Sequence, residues 1–305
     1  MKAKSTIVLL RPLQWTKNAV VGVPFFFALW DGAQAANLMG MLAQKIAMAG
    51  LAVVAFSLTS SAIYIINDVC DRKQDRLHPE KRHRPIASGE VSVPLALGIF
   101  AVLAACVPWA GLILGGRFLA ILGIYVAMQL LYSFGLKRVF LLDVFIIAVG
   151  FVLRVVAGGV AVAVQISWWL ILCTFLLALF LALCKRRAEK TVDAGETGKV
   201  DVVGHRAVLS RYSTAVLDQY IAMSGMAAIV CYAIYTLAAE TVAKFGTSAL
   251  AVTVPFVMFG IFRYMYLVYQ EKGGGRPEKI LVADIPIIMT VLGYALAALA
   301  VFVWG

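Results

Sequence analysis

Charge is what this chain most lacks. Of its 305 residues, 14% are Asp, Glu, Lys or Arg and 62% are apolar. Ordinary soluble domains carry about 25% charged and about 45–50% apolar residues. A soluble fold of this length must cover its surface with charge, and this composition cannot do so. A soluble enzyme and a disordered chain are therefore both excluded. Cysteine is also scarce. The five thiols, Cys70, Cys106, Cys173, Cys184 and Cys231, are odd in number and scattered, mostly inside apolar runs. That excludes a disulfide framework, and with no close Cys/His cluster at metal-ligand spacing they read as small apolar fillers. Acidic residues are few as well, 16 against 27 basic ones, for a net charge of +11. The basic residues lie between apolar spans and form no basic domain of their own, so nucleic acid is not the expected partner. No small-residue cleavage site follows a short apolar core, so a removable leader is not expected.

Long apolar runs are abundant instead. A helix needs about 20 apolar residues to cross the hydrocarbon core. Nine candidate spans follow: roughly 18–36, 44–66, 93–114, 118–135, 141–163, 167–185, 215–238, 247–269 and 283–304. The runs show no period-two alternation, so a barrel is excluded and helices remain. The expected class is an all-α polytopic membrane protein forming a single transmembrane domain over 1–305. The N-terminus, 67–92, 136–140, 186–214 and 270–282, with Lys185, hold 22 of the 27 Lys and Arg, and the opposite loops hold three. Under the positive-inside rule this puts the N-terminus in the cytoplasm and the C-terminus outside, as in an inner (plasma) membrane protein. Arg154 and Arg263 fall within spans, where a charge is costly and marks either a functional site or a buried ion pair, for example Arg154 with Asp143.

The segment 67–89, NDVCDRKQDRLHPEKRHRPIASG, carries most of the chemistry. Spacings of three and four place Asp68, Asp71 and Asp75 on one helical face with Asn67 beside Asp71. Like charges at that spacing repel, and a cation between them relieves the repulsion. Hard oxygen donors suit Mg2+, which commonly takes one or two carboxylates plus phosphate oxygens and water. Lys81, Arg82 and Arg84 follow, in a loop stiffened by Pro79 and Pro85. Guanidinium forks match phosphate oxygens. The pattern points to a metal and a diphosphate held together, against the plainer reading of a solvated helix end with pairs such as Arg72 with Asp75. His78 and His83 read as loop residues. Phe25–Phe27 and Trp168–Trp169 read as lipid contact or core.

Asn67, Asp68, Asp71 and Asp75 match the motif N-D-x-x-D-x-x-x-D at the end of a second span, and in this the chain resembles the UbiA superfamily of intramembrane prenyltransferases. RPLQWTKN, HPEKRHRPIASG, FGLKRVFLLDVF, LRVVAGG and CKRRAEK resemble, within it, the decaprenyl-phosphate phosphoribosyltransferase branch. The resemblance covers nearly the whole chain and implies a UbiA-like helical bundle. It also implies Mg2+ as cofactor, and as partners phosphoribosyl pyrophosphate, a polyprenyl phosphate and the bilayer, with a homo-oligomer left open. The expected reaction is transfer of 5-phosphoribosyl to the lipid phosphate. Asp68, Asp71 and Asn67 would hold the metal and Asp75 would be a second or supporting ligand. Lys17, Lys81, Arg82, Arg84, Arg154, Lys185, Arg186 and Tyr212 would hold the anionic groups. The wider family has a second Asp-rich helix after the sixth span. Here that region offers Lys185, Arg186, Arg187 and Glu189, then Tyr212 and Asp218, so only Glu189 is a further candidate metal ligand. Arg11, beside Lys17, is read equally as anion contact or membrane-surface anchor.

Two other readings use the same residues. A prenyltransferase with an aromatic or other acceptor would bind an isoprenoid diphosphate at the same carboxylates. An anionic-solute transporter would suit Arg154 and Arg263, although the polar residues gather at one membrane face rather than at mid-membrane.

Overall fold

The structure is a computed structural model that describes residues 2–26, 38–77, 81–196, 211–270, 280 and 283–304. Among them there is no strand. The main helices are α1 (Lys2–Leu10), α2 (Leu38–Cys70), α3 (Val93–Leu114), α4 (Gly116–Phe134) and α5 (Leu142–Ala161). They continue with α6 (Trp168–Glu196), α7 (Thr214–Leu237), α8 (Val254–Tyr269) and α9 (Ile285–Trp304). Seven helices are long and apolar enough to cross a membrane: α2 to α7, and α8 with the 3-10 turn Ala249–Thr253 before it. The ninth expected span appears as a shorter apolar helix, Ile285–Val301. The first, 18–36, begins inside a 3-10 helix, Pro12–Gly22, and from residue 27 it lies outside the described residues.

Large apolar side chains point outward along these helices. Trp109, Leu112, Ile124, Leu131 and Met223 are all more than half exposed. In water this would be a liability, and in a bilayer it is the surface that meets the acyl chains.

The chain separates into two compact units. The first holds residues 1–146 and 150–166, the second residues 147–149 and most of 167–305. In the first unit α2 is the organising element. Its middle reads SLTSSA, and Ser57 and Ser61 hydrogen-bond the segment that follows α1. Ser61 Oγ donates to the Leu10 carbonyl at 2.7 Å and accepts from Trp15 Nε1 at 3.0 Å, and Asn18 Nδ2 donates to Ser57 Oγ at 3.2 Å. Without competing water, these hydroxyls fix the approach of that segment. One core cluster joins Val21, Phe56, Phe118, Leu122 and Tyr125, and another joins Leu9, Ile65, Ile86 and Leu103. In the second unit α6 packs along α7. Gly225 lies against Phe180 and Ile261, and Ser213 caps α7 by accepting from the Val216 amide at 3.1 Å. Cys173 and Cys231 face each other there with sulfurs 3.3 Å apart.

Candidate active site

The carboxylates sit where α2 ends. The helix stops at Cys70, Asp71 forms a turn, and one further helical turn, Arg72–Asp75, follows. Backbone bonds run through the junction, from the Asp71 amide to the Asn67 carbonyl and from the Asp75 amide to the Asp71 carbonyl, both at 2.8 Å. The helical phase therefore survives the break. At about 100° per residue, Asp68 and Asp75 differ from two full turns by only about 20°, while Asp71 lies about 60° round the axis. The contacts follow this phase. Arg84 Nη1 donates to Asp68 Oδ1 at 3.1 Å and to Asp75 Oδ2 at 2.7 Å, so two carboxylates converge on one nitrogen. Asp71 turns aside and accepts from Lys137 Nζ at 3.3 Å. Asp68 is 2% exposed. Burial raises the Asp75 carboxyl above its usual pKa, against the opposing pull of Arg84.

The loop is built to deliver Arg84. That residue is extended, as a residue before proline prefers, and Pro85 opens a single helical turn, Pro85–Ser88, closed by Gly89 at φ +86°. Ile86 is completely buried in the core under α2. Arg76 Nε donates to the Ala87 carbonyl at 3.0 Å and ties the turn down from the other side. Arg84 is thus held above the carboxylates by an apolar plug and a clamp.

A second cation arrives from the other direction. Arg11, between α1 and the 3-10 segment, donates from Nη2 to Asp68 Oδ1 at 2.5 Å and lies over the Tyr64 ring at 4.8 Å. Its backbone is left-handed, φ 53° and ψ 58°, in a residue that is neither glycine nor free of a following proline. Such a conformation costs on the order of 1–3 kcal/mol and persists only where its surroundings impose it.

The other expected site residues are distributed as follows. Lys81 lies close enough to oppose, weakly, the rise in the Asp75 pKa that burial causes. Arg82 is exposed and donates from Nε to His83 Nε2 at 3.3 Å. Lys17 Nζ donates to Gln14 Oε1 at 2.6 Å. Asn67 is half-buried beside Asp68. Arg154 is buried on α5 and donates to Asn18 Oδ1 at 2.8 Å, Tyr125 OH at 2.7 Å and the Gly150 carbonyl at 3.0 Å. Its partners are neutral, and Asp143, the example given for the alternative of a buried ion pair, is not among them. In the second unit Arg186 is buried and pairs with Glu189 at 2.6 Å. Arg187 pairs with Asp218 at 2.6 Å and lies 4.2 Å over the Tyr269 ring. Lys185 is half-buried, and Tyr212 is fully buried with its carbonyl accepting from Lys190 Nζ. Arg263 is accounted for by a two-point pair with Asp284.

Among the described residues no three His, Cys, Asp or Glu side chains close on one point. The donor chemistry still suits Mg2+. Asp68 and Asp75 offer two hard oxygens to one centre, now met by Arg84, and Mg2+ commonly takes one or two protein carboxylates and completes its shell with substrate oxygens and water. The geometry groups Asp68 with Asp75 rather than with Asp71, for the reason of phase given above.

A model of the UbiA prenyltransferase family matches residues 21–283. The chain belongs to the UbiA family. Among UbiA relatives it is 34% identical to the decaprenyl-phosphate phosphoribosyltransferase of Mycolicibacterium smegmatis, over 90% of this chain and 85% of that protein. It is 31% identical to the enzyme of the same name from Mycobacterium tuberculosis, over 97% and 93%. The UbiA fold is seen in a UbiA homologue from Archaeoglobus fulgidus, described as bound to GPP and Mg2+, with a TM-score of 0.68, 18% identity, and 98% and 99% coverage. Sequence reasoning passed over Lys137 as a partner of the carboxylates in the UbiA site, and it weighed Arg11 only as an anion contact or a membrane anchor, not as a partner of Asp68. Lys137 could be suspected from its place in the short FGLKR loop, but the strained placement of Arg11 left no local trace.

Proposed function

We propose that the protein transfers the 5-phosphoribosyl group of phosphoribosyl pyrophosphate to a polyprenyl phosphate of the decaprenyl type, at the cytoplasmic face of the inner membrane. One observation carries the reading: carboxylates and cations interleave at one end of α2 in a chain whose relatives, aligned over nine-tenths of it, bear that enzymatic name. An oxygen of the lipid phosphate forms the new bond to the anomeric carbon. The bond from that carbon to the diphosphate oxygen breaks, and pyrophosphate leaves with the electron pair. The nucleophile is already an anion, so no strong base is required. Catalysis then rests on position and charge.

Bound Mg2+ would neutralise the diphosphate and improve it as a leaving group. Asp68 and Asp75 would hold the ion, with Asn67 and Asp71 adjoining. Arg84, Lys81, Arg82 and Lys137 are the first unit's cations for the donor's phosphates. Lys17 and Arg154 belong to the same assignment further along the first unit. Lys185, Arg186, Glu189 and Tyr212 are the second unit's own proposed contribution to anion and metal binding. Carboxylates near the ribose would also stabilise the positive charge that develops on its ring.

The test is direct assay of purified protein with phosphoribosyl pyrophosphate, polyprenyl phosphate and Mg2+. Lipid-linked phosphoribose is expected, and Asp68→Ala or Asp75→Ala should lower its rate by at least about a hundredfold while the protein still folds. Full activity in both variants removes the metal role. Pyrophosphate released from an isoprenyl diphosphate and an aromatic acceptor, but not from phosphoribosyl pyrophosphate, replaces the reading with prenyl transfer, the chemistry suggested by the GPP-bound homologue.

A further inference from the structure

Three carboxylates at the end of α2 are met by three cations. Asp68 is contacted by Arg11 and Arg84, Asp75 by Arg84, and Asp71 by Lys137. Contact for contact, the local charge is already balanced. Divalent cations are drawn to unbalanced carboxylates, and here no negative excess remains. A dication entering this cluster leaves it strongly positive unless a guanidinium withdraws or an anion arrives. Arg11 is the member whose placement is hardest to account for otherwise. Its backbone is left-handed immediately before Pro12, and the segment is anchored on both sides by the Ser61 bonds to Leu10 and Trp15. The Tyr64 ring supports the guanidinium from beneath. That combination fixes Arg11 upon Asp68 at the expense of its own backbone.

We infer that Arg11 is a positioning residue that competes with a divalent cation for Asp68 and couples metal binding to anion binding. The inference rests on the metal role given to Asp68 above and adds a regulation of that site. Asp68 can pass from Arg11 to a divalent cation only when the guanidinium finds another anion, and a phosphate group supplies one. Metal alone binds weakly, and metal with a phosphate-bearing ligand binds more tightly than the two separate affinities predict. The site thereby avoids closing on metal before the donor is present.

The experiment is Mn2+ binding to detergent-purified full-length protein, followed by electron paramagnetic resonance, with and without inorganic phosphate. In the wild type, phosphate should tighten Mn2+ binding at least fivefold. Arg11→Gln, with one of the two guanidinium groups on Asp68 gone, should bind Mn2+ alone at least fivefold tighter and lose most of the phosphate effect. Arg11→Lys keeps the charge without the fork and should fall between the two. It carries the test if Arg11→Gln does not fold. Mn2+ affinity that is unchanged or weaker in Arg11→Gln, with the phosphate effect intact, overturns the inference and leaves the proposed reaction standing. Absence of Mn2+ binding in the wild type under both conditions overturns the metal role itself, and this inference with it.

Discussion

Arg154 is 6% exposed in a helix that crosses the membrane, and among the described residues its hydrogen bonds go only to neutral groups. The charge is spread over three acceptors and two rings, Tyr125 at 4.8 Å and Phe151 at 5.2 Å. Removing the Tyr125 hydroxyl while keeping its ring tests its bond to Arg154, together with the longer 3.5 Å contact that the hydroxyl makes with Ser60 Oγ. Tyr125→Phe should destabilise the protein by about 1.5–3 kcal/mol, the usual value for a lost hydrogen bond to a charged group. Thermal unfolding in detergent measures it, and an unchanged midpoint would show that another acceptor takes over. At this scale the carboxylates were legible because phase is local: residues seven apart share a face wherever a helix holds. So was the nearby Arg84, but the pairings with Arg11 and Lys137 were not. Arg11 and Asp68 are separated by 57 positions, and Lys137 and Asp71 by 66. No periodicity within one segment reports a contact made across such a distance.

The 3-10 segment Pro12–Gly22 carries Lys17 and Asn18, and its position depends on how closely it can lie on α5. Gly158 is the point of closest approach. A Cβ there would stand 1.9 Å from the Val21 carbonyl oxygen and 3.2 Å from Pro24 Cδ. Backbone cannot yield as a flexible side chain can. Gly158→Ala should therefore displace the segment, costing about 1–3 kcal/mol as overpacking and lowering activity through Asn18 and its bond to Arg154. The midpoint of unfolding and the rate of lipid product together check this, and wild-type values in both would show that the segment has room to move. That the loop is stiff at Pro85 was legible, but the helical turn Pro85–Ser88, closed by Gly89, was read only as loop. What it does was not legible. Ile86 as a buried plug and Arg76 as a clamp emerge only when α2 and α3 are packed.

For the molecule as a whole, orientation remains a proposal founded on the asymmetry of Lys and Arg between the two sets of loops. It predicts opposite reactivities for Lys73→Cys and Arg117→Cys, both exposed positions, in a background with the five native cysteines replaced. An impermeant maleimide should label Arg117→Cys in intact cells, and Lys73→Cys only after the membrane is opened. The reverse pattern would place the carboxylate end of α2 outside and remove the cytoplasmic donor from consideration. The sequence alone determined the solvent, the helical class and the acidic face, since hydropathy and a period of 3.6 residues are properties of neighbours along the chain. Only the tertiary structure decided that Asp68 and Asp75 share Arg84 while Asp71 turns to Lys137, and that Arg11 reaches Asp68. Those outcomes depend on how helices distant in sequence are brought side by side, and on which buried charge lies nearest to which.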